Sequence, residues 1–158
     1  MKAVVIYYSL EGNTKFVADK IATYLKADTI RLEPVKEYPK GKASKYIWGG
    51  KSVVFGETPK LSSYKFNAEN YDTIIIGTPV WASSYAPPIK TFLKENKICG
   101  KKVALFACSA GGDASKCFQK FEQELDKNEV AATLSLIDPK VKVTVQNDQD
   151  IKEFCQKL

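Results

Sequence analysis

The sequence predicts an α/β fold in which short buried strands alternate with amphipathic helices around a parallel sheet. Three observations carry this. Apolar residues come in short runs rich in β-branched and aromatic side chains, as strands covered on both faces require. Between the runs, apolar positions recur at helical spacing. Loops that follow several of the runs collect hydroxyl residues, glycine and proline, the pattern of βα units with ligand-facing turns.

The first run is Ala3-Val4-Val5-Ile6-Tyr7-Tyr8. Phe16, Val17, Ile21, Tyr24 and Leu25 then recur at helical spacing between Thr14 and Ala27, with Asp19 and Lys20 on the opposite face. A short second strand falls near Thr29 to Leu32, and Asp72 to Thr78 and Lys102 to Cys108 supply two central strands. Ile89, Phe92 and Leu93 mark the helix after the third strand, ending near Gly100, with Pro87 and Pro88 stiffening the loop ahead of it. Cys117, Phe118, Phe121 and Leu125 mark the helix after the fourth strand. Ala131 to Ile137 gives a fifth strand, and Ile151, Phe154, Cys155 and Leu158 a last helical stripe that Asn147 or Asp148 would cap. The segment from Pro34 to Asn70 departs from this rhythm: glycines 41, 49, 50 and 56 and prolines 39 and 59 accompany lysines 36, 40, 42, 45 and 51, interleaved with Tyr38, Tyr46 and Trp48. A helical turn is expected over Lys42 to Trp48, but no regular helix.

At 158 residues, with 44% hydrophobic and 27% charged, the chain is expected to form one domain over 1–158 that buries about two-thirds of its unfolded surface. No stretch approaches the roughly 18 apolar residues of a membrane span, and the start lacks a cleavage site, so a soluble protein without a leader is expected. The four cysteines form no CxxC pair, and the chain has no histidine. Zinc sites of the Cys/His kind and Ser-His-Asp triads are thereby excluded, no metal is expected, and reduced thiols in the cytoplasm are the default. No catalytic side chain is assigned; chemistry falls to a bound cofactor. The net charge is +6, but Arg31 is the one arginine among 24 basic residues. Scattered lysine gives a diffuse field rather than the bidentate contacts that read nucleic acid, which argues against that partner.

Three loops carry the chemistry. Ser9-Leu10-Glu11-Gly12-Asn13-Thr14 joins the first strand to the first helix, where unpaired amides and the helix dipole can wrap a phosphate. The Ser9 and Thr14 hydroxyls and the Asn13 amide can complete that shell, and Gly12 permits a close approach or a positive φ. Thr78-Pro79-Val80-Trp81-Ala82, after the third strand, presents an indole able to stack on a planar ligand. Ser109-Ala110-Gly111-Gly112-Asp113 follows the fourth strand; its glycines free backbone groups to face a ligand, while Asp113 either caps the next helix or accepts a hydrogen bond. A GxGxxG turn is absent. Gly50-Lys51-Ser52 lacks the first glycine of a phosphate-binding P-loop and is expected in a turn.

These loops resemble those of the flavodoxin family over nearly the whole chain. The resemblance implies a flavodoxin-like, doubly wound, five-stranded parallel sheet of order 2-1-3-4-5 with helices on both faces. It implies non-covalent FMN, with its phosphate at Ser9, Leu10, Glu11, Gly12, Asn13 and Thr14. The ring would lie between Thr78, Pro79, Val80, Trp81 and Ala82 on one side and Ser109, Gly111, Gly112 and Asp113 on the other, with Tyr85 a further aromatic neighbour. Three departures stand out. Glu11 replaces a hydroxyl residue, the second ring loop has no tyrosine, and the chain is basic where electron-carrying relatives are acidic. The acidic cluster of a phosphoacceptor receiver domain is missing, which leaves an electron-transfer protein as the leading reading. The alternative is a small FMN-dependent NAD(P)H oxidoreductase of the flavin or quinone reductase type. The partner would be an acidic redox protein, docked by Lys40, Lys42 and Lys45, or a small electron acceptor. The positive charge is expected to make the midpoint potential less negative than in acidic relatives.

Overall fold

A computed structural model describes residues 1–158, apart from the side chains of residues 42–47. Strand β1 (Ala3–Tyr7) is buried at every position and leads into helix α1 (Asn13–Leu25). Then come β2 (Asp28–Arg31), α2 (Lys42–Val54), β3 (Thr73–Trp81), β4 (Ser84–Tyr85), α3 (Pro87–Glu95), β5 (Lys102–Ser109), α4 (Ser115–Glu124), β6 (Glu129–Ile137) and α5 (Val145–Gln156). The parallel strands run in the order β2-β1-β3-β5-β6, with β4 paired antiparallel to β3. With the short β4 set aside, this is the expected order 2-1-3-4-5.

Alternation along the central strands sorts the core into two layers. Val4, Ile6, Ile74, Ile76, Val103 and Leu105 pack on Ile89 and Phe92 of α3 and on Cys117 and Phe121 of α4. Val5, Ile75, Ala104 and Phe106 face the other way, onto Val17, Ala18 and Ile21 of α1 and Ile151, Phe154 and Cys155 of α5. Helices therefore cover both faces, which is why these strands carry apolar residues in both phases. None of the helices among the described residues is long and apolar enough to cross a membrane.

Several boundaries differ from expectation for identifiable reasons. Pro87 and Pro88 occupy the first turn of α3 rather than a loop, where a missing N–H costs nothing. Thr144, not Asn147 or Asp148, caps α5: its Oγ1 accepts the Asn147 amide at 3.0 Å. The third strand continues past Thr78 to Trp81 because Val80 and Trp81 pair with Tyr85 and Ser84.

The largest difference is α2, a regular helix that takes in Gly49, Gly50, Lys51 and Ser52, where a turn was expected. Two glycines in a helix lower its intrinsic propensity, but a tertiary contact requires the first of them. A Cβ on Gly49 would stand 3.1 Å from Cδ2 and Cε3 of the Trp81 indole. The segment is also closed at its neck, where Pro34 bridges Leu61, the Val35 amide donates to the Lys60 carbonyl at 2.9 Å, and the Ser62 amide donates to the Glu33 carbonyl at 2.7 Å.

Where β3 and β5 pair, Gly77 lies opposite Phe106. A Cβ at Gly77 would fall 2.0 Å from Cζ of that ring, well inside contact distance. Gly77→Ala is expected to destabilise the fold by about 3 kcal/mol in urea denaturation, and by markedly less in a Phe106→Leu background, where the clash is relieved.

Candidate functional site

The carboxyl ends of β1, β3, β5 and β6 converge on a cavity of about 660 Å³, within the ordinary range for small-ligand sites. Its lining includes Ser9, Leu10, Glu11, Asn13 and Thr14 from the first loop, Pro79, Val80, Trp81 and Ala82 from the second, and Ser109, Gly111, Gly112 and Asp113 from the third. Two expected residues do not line it. Gly12 forms the turn instead, with φ of 100°, its amide donating to Ser9 Oγ at 3.2 Å and its carbonyl accepting the Phe16 amide at 2.9 Å. Thr78 is fully buried behind the second loop: its Oγ1 accepts the Ala86 amide and donates to the Pro79 carbonyl, both at 2.9 Å.

The first loop is set for an anion. No side chain caps α1 and no acidic residue occupies its first turn, so the leading amides keep their donors. Arg31 backs the loop, its Nη2 donating to the Ser9 carbonyl at 3.3 Å while its Nε lies 3.7 Å from Glu33 Oε1. Cys108 lies on the cavity wall with its thiol pushed up to about 12 by burial, the neighbouring Thr14 hydroxyl acting in the opposite sense. It is a neutral wall atom rather than a nucleophile.

The second loop is a tight hairpin. Ala82 and Ser83 have φ of 47° and 57°, both left-handed, as a two-residue type I′ turn demands. Trp81, at its base, packs edge to face on Tyr8 (5.7 Å between centroids, 86°) and Tyr38 (5.1 Å, 83°), with Gly49 against the indole. The Tyr8 hydroxyl and the Tyr38 amide both donate to Glu37 Oε1, at 2.8 Å and 2.9 Å. The indole thus belongs both to the cavity wall and to the edge of the core. Tyr85 is placed differently from expectation: its ring sits 4.6 Å from that of Phe121 in the core, away from the cavity.

In the third loop Asp113 takes the capping role. Its carboxylate accepts the Ser115 hydroxyl and the Ser115 amide, which hold it below the usual carboxylate range. Among the described residues the buried Ser109 Oγ has no hydrogen-bond partner, an unmet polar group on the cavity wall that a ligand atom can satisfy.

Sequence reading missed Gly50, Ser83, Cys108, Ala110 and Asp138 in the lining. Asp138 follows β6, so the carboxyl-end rule that identified the other loops points to it as well. Its amide donates to the Ser109 carbonyl at 2.9 Å and joins the fourth loop to the third. Gly50 had no comparable signal, because only the packing of α2 on Trp81 brings it to the site. The side chains of Lys42, Lys45 and Tyr46 lie outside the described residues. Lys51 stands 5.6 Å over the exposed Trp48 ring.

A doubly wound parallel sheet with a cavity at the carboxyl ends of its strands is the flavodoxin-like arrangement of the α/β class. The chain belongs to the flavodoxin family, whose model matches residues 2–157. A flavoprotein from Lactobacillus acidophilus NCFM, crystallised in complex with FMN, is 24% identical at a TM-score of 0.77, covering 97% of each chain. A flavoprotein from Bacteroides uniformis ATCC 8492 is 23% identical at a TM-score of 0.82, covering 98% of this chain and 97% of the other. An oxidised flavodoxin from Bacillus cereus is 19% identical at a TM-score of 0.63, covering 99% and 97%. No curated protein matches the chain.

The left-handed Ala82 and Ser83 pair is a local strain with a direct test. Ala82→Asn with Ser83→Gly supplies the residues that this turn favours, and is expected to raise stability by about 1 kcal/mol in thermal or urea unfolding.

Proposed function

We propose that this protein holds FMN non-covalently and serves as an electron carrier. The observation that carries this is the cavity itself. An uncapped helix N-terminus with flanking hydroxyls lies at one end, an aromatic and apolar wall at Pro79, Val80 and Trp81, and a glycine-rich wall with the unmet Ser109 hydroxyl opposite. Bound there, FMN supplies one- and two-electron chemistry of its own. The chain's part is to bind, orient and shield. The amides from Leu10 to Lys15, other than that of Gly12, which donates to Ser9 Oγ, and the Ser9 and Thr14 hydroxyls would take the phosphate, Trp81 would limit water at the ring, and Ser109 would meet a polar edge. The FMN complex of the Lactobacillus acidophilus flavoprotein supports this reading.

A second reading, an FMN-dependent NAD(P)H oxidoreductase, is favoured by one feature: Ala110, Gly111 and Gly112 are exposed and offer no aromatic lid, which leaves room for a nicotinamide or quinone on that side. As a carrier, the protein would meet an acidic redox partner or a small acceptor, with no role for nucleic acid or membrane. The basic balance and the exposed Lys51, Trp48 and Phe55 of the α2 region support such a docking face. A cytoplasmic setting is supported by four free cysteines, three of them buried.

Titrating the apoprotein with FMN, followed by flavin fluorescence, tests the cofactor reading; a flat titration overturns it. Anaerobic NADH or NADPH then separates the two functions. A carrier keeps its flavin absorbance until a partner reductase is added, whereas a reductase bleaches at once.

The expectation of a less negative potential meets an opposing local field. Glu11, Asp113 and Asp138 line the cavity, whereas no lysine or arginine does among the described residues. Carboxylates at this range disfavour added negative charge on the cofactor, while the net +6 acts from farther away through screening solvent. Asp138 has φ of 42°, a conformation that asparagine tolerates well. Asp138→Asn is therefore expected to raise the FMN midpoint potential by on the order of 20 mV in potentiometry.

A further inference from the structure

The loop proposed for the phosphate brings its own negative charge, since Glu11 and Asp138 both line the cavity. Asp138 already has Lys142 Nζ at 4.0 Å, but a phosphomonoester carries about −1.5 to −2 at neutral pH, and a cation beside the loop offsets part of the cost of taking that charge out of water. The fourth loop supplies a cation. Lys140 is exposed, and its backbone is tied to the first loop: its amide donates to Asn13 Oδ1 at 3.0 Å, across 127 positions in sequence. That bond ties the loop after β6 to the first residue of α1. The Lys140 side chain then lies across Gly12, with Nζ 3.0 Å and Cδ 3.4 Å from where a Cβ at that residue would stand. Any other residue at Gly12 would push the ammonium away. Among the described residues no carboxylate forms an ion pair with it, whereas Arg31, Lys15 and Lys142 near this loop are each offset by a carboxylate: Glu33, Asp19 and Asp138.

We infer that Lys140 is a phosphate-selecting residue: its ammonium, lying over Gly12 on a backbone tied to Asn13, makes the first loop prefer a phosphomonoester flavin to the uncharged nucleoside. This rests on the FMN reading and deepens it. A lysine that merely packs on the loop would influence both flavins alike. A charge acting on the phosphate influences one.

Wild-type protein, Lys140→Met and Lys140→Arg are each titrated with FMN and with riboflavin by fluorescence, at low and high ionic strength. Lys140→Met keeps most of the stem and removes the charge. Its FMN affinity is expected to fall about five- to tenfold at low ionic strength, with riboflavin affinity unchanged, a weaker salt dependence for FMN, and recovery in Lys140→Arg. Equal losses for the two flavins, or an unchanged FMN affinity, overturn the inference while leaving the cofactor reading intact. Wild-type protein that binds neither flavin overturns both.

Discussion

The site depends on the way two neighbouring strands are left by the chain. β1 and β3 lie side by side, but β1 feeds α1 on one face of the sheet and β3 leads through the hairpin to α3 on the other. Connections that part in opposite directions cannot close over the strand ends between them, and a right-handed crossover leaves no other route. The crevice is thus a consequence of topology, formed before any particular side chain is chosen. The loops after β5 and β6 wall it in because those strands run parallel and end at the same level.

What the topology leaves open, the long excursion between β2 and β3 partly fills. Its neck is pinned by the pairing of Pro34 with Leu61, and α2 rests on the hairpin through Gly49 and the Trp81 indole. Tyr8 and Tyr38 fix the same indole by its neighbouring edges, and both residues converge on Glu37. The aromatic wall of the cavity therefore does not depend on the hairpin alone. It is braced by the core on one side and by a helix on another, which lets a strained two-residue turn hold its shape.

Charge acts on two scales. Far from the site the lysines set a positive field that salt screens within about 10 Å. At the cavity, carboxylates line the wall, and among the described residues cations stand beside it as Arg31 under Ser9, Lys140 over Gly12 and Lys142, whose Nζ lies 4.0 Å from Asp138 Oδ2. Net charge is thus a guide to encounter with a partner, whereas the cofactor's surroundings are set by a few side chains whose positions composition does not reveal.

Much of this was legible in the chain. Buried runs at Ala3 to Tyr8, Asp72 to Thr78 and Lys102 to Cys108, separated by helical stripes, are local patterns, so they determine a parallel α/β sheet by themselves. The three loops at strand ends were readable for the same reason: Ser9 to Thr14, Pro79 to Ala82 and Ser109 to Asp113 stand next to the strands that place them. Tertiary packing decided the rest. Gly49 and Gly50 read as helix breakers until Trp81 is placed against Gly49. Thr78 reads as a ligand contact until the Ala86 amide claims its hydroxyl, and Tyr85 as a cavity aromatic until Phe121 takes its ring. Lys140 comes beside the first loop only because β6 ends beside β5 and its amide donates to Asn13 Oδ1 across 127 positions. Periodicity records which face of an element is apolar, but not which distant residue will meet it, and that pairing is settled only when the layers close.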